Sequence, residues 1–147
     1  MAKHKVKIFL DACVIFSGCH SRSGGSSVIL DACMAGFLKP ITSPLIIEEA
    51  MRGLRAKSDA LAIHRLVELI KYPGLELVNN PEPAALEPYK HLIHSKDCHV
   101  LASAVSANCD FLITLDQKHF FNEKILRANF RFRIVTPGQF IILMNQA

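Results

Sequence analysis

Short apolar runs of strand length alternate with longer segments of helical periodicity along this sequence, and that alternation constrains the fold more than any single motif. VKIFL (6–10), LKPITS (38–43), LELVN (75–79), DFLIT (110–114) and RFRIVTP (131–137) read as strands. Pro40 cannot donate to a ladder, so the second of these is expected to begin beside or after it. Helical patterns fill the gaps. SSVILDACMAGF (26–37) has Ser26 or Ser27 as its cap and Val28, Ile29, Ala32, Cys33 and Ala35 as an apolar stripe. SPLIIEEAMRGLRAK (43–57) opens on Ser43 and Pro44, an N-cap followed by a first-turn proline. SDALAIHRLVELIKY (58–72) turns Leu61, Leu66, Leu69 and Ile70 to one side. SKDCHVLASAVSAN (95–108) is expected to be capped by Ser95, with Val100, Leu101, Ala104 and Val105 inward, and PGQFIILMNQ (137–146) closes the chain as a helix. The expected fold is α/β: a single-domain α/β/α sandwich over 1–147 with a mostly parallel central sheet.

Two of the strands run into an acid. VKIFL stops on Asp11, and DFLIT is followed by Leu115 and Asp116. In a parallel α/β sheet, ligands bind outside the carboxyl ends of the strands. Helices that follow strands start at that same edge, and Glu49 and Asp97 lie in first turns. Four carboxylates distant in sequence are thus expected on one edge. Taken singly, Asp11 and Asp116 are explained by turn hydrogen bonds, and Glu49 and Asp97 by the helix dipole. Taken together they repel one another, and a hard divalent cation such as Mg2+ or Mn2+ offsets that repulsion. Such an ion leaves positions open for phosphate oxygens and activates water, which points to phosphodiester hydrolysis.

With IFLDACVIFSG, SPLIIEEAMRGL, SKDCHVLASAVSANCDFLITLDQKHF and IVTPGQFI spread over nearly its whole length, the chain resembles the PIN-domain ribonucleases. The resemblance implies Mg2+ or Mn2+ at Asp11, Glu49, Asp97 and Asp116, with Glu49 preferred to Glu48. It also implies metal-dependent endonucleolytic cleavage of single-stranded RNA, a toxin role with an antitoxin protein as partner, and a homodimer. Where the family often has DTNV, this chain has DACV; Ala12 and Cys13 lack a hydroxyl and an amide that support the first acid. Thr114 and Ser17 are nearby hydroxyls able to bond a carboxylate or only local backbone. The departure leaves a second reading: a catalytically weak or inactive PIN-fold module for RNA binding or assembly. A receiver-like or phosphatase reading fits less well, because Lys7 and Lys118 do not stand where its late lysine belongs.

Composition removes other classes. Five cysteines, an odd number without a CxxC pair, argue for reduced thiols in a cytoplasmic protein and against a disulfide framework or a structural zinc site. His91, His94 and His99 are expected on a partly exposed helix face rather than around zinc. No apolar run is long enough to span a bilayer, and Asp11 interrupts what would otherwise resemble a signal sequence. The net charge of +4 is compatible with a polyanionic partner, and Arg52 and Arg55, following Glu49 on one helix, are the expected RNA contacts.

Overall fold

β1 (Lys7–Leu10), β2 (Lys39–Thr42), β3 (Glu76–Leu77), β4 (Phe111–Ile113) and β5 (Arg133–Val135) hydrogen-bond in the order β3-β2-β1-β4-β5, every neighbouring pair parallel. This computed structural model describes residues 4–146. The central strand buries Ile8, Phe9 and Leu10 completely, as expected for a strand covered on both faces.

The connections are α1 (Ala12–His20) and α2 (Gly25–Met34), then α3 (Pro44–Lys57) and α4 (Ala60–Lys71), then α5 (Pro83–Leu86) and α6 (Cys98–Ala107). The short helices α7 (Gln117–Phe120) and α8 (Glu123–Arg127) follow β4, and α9 (Pro137–Asn145) follows β5. α1 packs against α2, α3 and α4. Right-handed crossovers put those four helices on one face of the sheet and send α6 to the other. The chain runs outward from β1 through β2 to β3, then returns to the opposite side of β1 for β4. The order therefore reverses between β1 and β4, and the crevice of a doubly wound sheet opens at that reversal.

Helix starts follow the sequence closely where side-chain caps exist. Ser43 Oγ accepts from Ile46 N at 3.3 Å, and Thr136 and Gln139 form a reciprocal capping box. Asn108 ends α6 in the left-handed conformation at φ 53°. Other expectations are corrected. Residues 12–20 form a helix that the sequence reading did not assign; Asp11 caps it, and its apolar residues cover too much of its circumference for a clean stripe. α2 begins at Gly25, with Gly24 as N-cap at φ 102°, a backbone conformation that explains the glycine. Ser26 and Ser27 lie inside that helix, and its buried face is Ile29, Leu30 and Cys33, not Val28. In α4 the inward residues are Ala62, Leu66 and Leu69, while Leu61 and Ile70 are exposed. Val105 is likewise exposed on α6. Ser95 does not cap; residues 95–97 form a 3-10 turn whose N–H at Lys96 donates to His94 Nδ1 at 3.1 Å. Pro40 sits within β2, opposite Ile8. Lys39 N donates to Val6, so the nitrogen of Pro40 faces β3, which begins only at Ile41's level and asks no hydrogen bond of it.

Candidate active site

Asp11 is the first residue beyond β1 and the N-cap of α1, which places a carboxylate at the sheet's reversal point. Its Oδ1 accepts from Ala12 N at 2.8 Å and its Oδ2 from Thr114 Oγ1 at 2.7 Å. The Cys13 thiol lies 3.6 Å from the same Oδ2 and 3.5 Å from Thr114 Oγ1, and Leu115 N donates to the sulfur at 3.3 Å. Thr114 also accepts from Asp116 N at 3.1 Å, so one buried hydroxyl links the two strand-end acids. The DACV sequence therefore leaves the first acid supported. Burial and the neighbouring Asp11 carboxylate push the Cys13 thiol up to about 11, which keeps it protonated and able to donate. Ser17 makes no side-chain bond to a carboxylate among the described residues.

Asp116 caps α7: Oδ1 accepts from His119 N at 3.2 Å, and Oδ2 lies 2.7 Å from His119 Nδ1. Asp97 ends the 3-10 turn and enters α6, its side chain making no capping bond; Oδ2 is 3.8 Å from the same His119 nitrogen. Glu49 projects from α3, and its Oε1 is 3.0 Å from His99 Nε2. The buried Nδ1 of His99 finds no partner among the described residues.

The four acids converge. Asp11, Glu49, Asp97 and Asp116 line one open cleft of ≈ 380 Å³, together with Cys13, Phe16, Gly53 and Lys57. Glu49, Gly53 and Lys57 are four residues apart and share one face of α3. A Cβ on Gly53 would stand 3.1 Å from Phe16 Cδ2, so the glycine allows α3 to close on α1 at the cleft floor. Glu48 points away, into a larger groove of ≈ 500 Å³ lined also by Met51, Arg52, Arg55 and Ile70. The two arginines expected to meet RNA line this neighbouring groove and not the acidic cleft itself. Arg52 lies 3.8 Å from Glu48, and Lys57 is the cationic residue of the cleft.

The electrostatics are those of an uncompensated anionic site. Burial raises the Asp11 carboxyl above its ordinary range, against the Thr114 and Ala12 hydrogen bonds. Burial also raises Asp97, the Asp116 charge raises it further, and His119, His99 and His94 partly offset this. Among the described residues no lysine or arginine forms an ion pair with any of the four acids; the basic side chains within 4.0 Å of Glu49, Asp97 and Asp116 are histidines. Oxygen-rich, partly exposed and short of countercharge, this donor set fits a hard divalent cation.

The histidines beside these acids depart in part from the sequence expectation, although His94 is exposed as expected. His99 is buried inside the cluster rather than on a helix surface, His94 lies 6.2 Å ring to ring from His119, and His119 was not singled out. His119 stands three residues beyond Asp116, a spacing that on a capped turn returns the ring to its own cap, and this was the available signal. His91 is exposed, as expected.

The PIN domain family model matches residues 7–118. This chain belongs to the PIN-domain family. The match runs from β1 into the first residues of α7 and so includes all four converging acids. No curated protein matches the sequence. Among solved structures, VapC20 of Mycobacterium tuberculosis, a sarcin-ricin-loop-cleaving toxin, aligns at TM-score 0.57 and 10% identity over 84% of this chain and 95% of that one. PAE2754 of Pyrobaculum aerophilum aligns at TM-score 0.59 and 14% identity over 97% of each chain. A DNA-bound VapBC structure from Salmonella typhimurium aligns at TM-score 0.55 and 15% identity over 90% of this chain and 98% of that one. At these identities the likeness is one of fold. Among the described residues no helix is long and apolar enough to cross a membrane.

Proposed function

We propose that this PIN-domain protein is a metal-dependent endoribonuclease that hydrolyses phosphodiester bonds of single-stranded RNA, and that it serves as the toxin of a toxin–antitoxin pair. The observation that carries the nuclease reading is the meeting of Asp11, Glu49, Asp97 and Asp116 in one cleft without a lysine or arginine partner. Asp97 and Asp116, both partly exposed, would hold Mg2+ or Mn2+, with Asp11 and Glu49 completing the ligand or water-binding set. When bound, the ion supplies a water of lowered pKa and neutralises charge gathering on the phosphate. Thr114 and Cys13 hold Asp11 in one orientation, and His99 holds Glu49. Lys57, two turns beyond Glu49, is positioned to hold a flanking phosphate that the acids would otherwise repel. A single strand is favoured because its backbone bends into an open cleft more readily than rigid A-form duplex. The toxin reading draws support from the VapC and VapBC relatives, and it brings an antitoxin as partner. The inactive-module reading loses its main support, because Cys13 and Thr114 supply the hydrogen bonds that DACV appeared to lack. Matched single-stranded and duplex RNAs, incubated with Mn2+ and either wild type or Asp11→Asn, test the proposal. Cleavage of the single strand by wild type only is expected; equal cleavage of both RNAs refutes the strand preference, and equal cleavage by both proteins refutes the site.

A further inference from the structure

We propose that His119 is a metal ligand alongside Asp97 and Asp116, and that its nitrogen makes the cleft select a first-row transition ion over Mg2+. This rests on the metal-nuclease reading and specifies its ion. One carboxylate oxygen from each acid and one imidazole nitrogen all lie within 4.8 Å of one another. His119 Nδ1 is 2.7 Å from Asp116 Oδ2 and 3.8 Å from Asp97 Oδ2. Bonds of about 2.1 Å in an octahedral site put adjacent donors about 3 Å apart and opposite donors about 4.2 Å apart. The three atoms thus stand near the spacing that one ion requires, and coordination through Nδ1 displaces the proton that this nitrogen shares with Asp116 Oδ2, the ring keeping its proton on Nε2.

The backbone holds the ring there. Asp116 Oδ1 caps α7 by accepting from the N–H of His119 itself, which fixes the residue beside the acid it contacts. The His94 ring lies 6.2 Å from it, centroid to centroid, tilted by 53°. The Nδ1 of His94 is occupied by Lys96 N, so it is not a competing donor atom from that nitrogen. All three members of the triad are partly exposed, with side-chain accessibilities of 41% for His119, 25% for Asp97 and 32% for Asp116, which leaves coordination positions for water and a phosphate oxygen. Mg2+ favours an all-oxygen shell and keeps its waters, whereas transition ions accept imidazole nitrogen. A nitrogen in this position therefore adds affinity for Mn2+ and the ions beyond it while adding little for Mg2+.

Mn2+ is the probe. Its binding is measured by loss of the free-ion electron paramagnetic resonance signal, with Mg2+ as competitor, for wild type, His119→Gln and His94→Gln. Pulsed spectra of the bound ion read directly whether nitrogen is coordinated. Wild type is expected to show 14N coupling, kept in His94→Gln and lost in His119→Gln. Mn2+ affinity should fall by about ten-fold or more in His119→Gln, with Mg2+ affinity changed by less than about two-fold. Mn2+ bound to wild type without nitrogen coupling overturns the assignment of His119 and leaves the carboxylate site standing. Coupling that persists in His119→Gln overturns it equally, as does an equal loss of Mn2+ and Mg2+ affinity. Absence of any Mn2+ binding to wild type overturns both this inference and the metal-nuclease reading.

Discussion

Asp97→Asn is expected to make the metal-free protein more stable while removing most of its response to metal. The Asp97 side chain makes no capping hydrogen bond, so the amide sacrifices none. What it removes is charge: burial and the Asp116 carboxylate both raise Asp97 above its ordinary range. The facing ligand atoms of these acids lie within 4.8 Å. Two unit charges at that separation repel by about 0.9 kcal/mol in water and by about 3.5 kcal/mol at an effective dielectric of 20. The pair is open to solvent and His119 already offsets part of the repulsion, so the lower end, about 1 kcal/mol, is the working figure. In a chain of this size that raises Tm by about 2–4 °C. Mn2+ at 100 times its Kd adds about 2.7 kcal/mol to wild type, or about 5–11 °C. If the substitution weakens binding on the order of 100-fold, the same Mn2+ adds only about 0.4 kcal/mol to the variant, about 1–2 °C. Melting curves with and without Mn2+, recorded for both proteins, check all of these values. Equal metal shifts in the two proteins, or a metal-free variant melting below wild type, would refute the reasoning.

Three further outcomes follow from the same geometry. Asp11 and Asp97 have native pKa values raised above their unfolded value of 3.8, so the native state keeps protons that the unfolded chain has released. Their contribution to stability falls as pH climbs from that value through the raised native ones; the Tm advantage of an Asp11→Asn, Asp97→Asn double variant over metal-free wild type should grow as pH rises above 3.8, and a constant difference would contradict this. His99→Leu removes a buried nitrogen that has no partner and frees a Glu49 that solvent can reach, so Tm should hold or rise while cleavage drops about 10- to 100-fold, with partial rescue by His99→Gln. Lys57→Ala should weaken single-stranded RNA binding and reduce its salt slope by about 0.7, the value of one phosphate contact, whereas Arg52→Ala with Arg55→Ala should leave both unchanged.

The sheet and the four acids were legible in the sequence because each rests on local chemistry. Apolar runs ending on Asp11 and shortly before Asp116 mark carboxyl edges, and Ser43 with Pro44 marks the start of α3, which carries Glu49. Helix phase was less legible. Assigning Arg52 and Arg55 to the cleft counted their distance from Glu49 along the chain, but a helix returns to the same face at Gly53 and Lys57. α4 and α2 misled for a related reason: with apolar residues on several faces, as at Leu61 and Val28, only packing decides which side is buried. Thr114 was legible as a hydroxyl able to bond a carboxylate, but its contact with the Cys13 thiol, 101 residues away in sequence, was not, and the Glu49–His99 contact joins helices on opposite faces of the sheet. No local pattern encodes such a pair.

The most direct test of the central claim is the cleavage of an end-labelled, unstructured RNA with mapping of the product ends. Asp116→Asn is the control of choice, since asparagine can still cap α7 while losing the charge beside His119. Wild type with Mn2+ should cut internally, stop on chelation, and leave no 2′,3′-cyclic phosphate, because a water rather than the ribose 2′-hydroxyl attacks the phosphorus; Asp116→Asn should be inactive. Cleavage that survives chelation, yields cyclic phosphate ends or persists undiminished in Asp116→Asn would contradict the account.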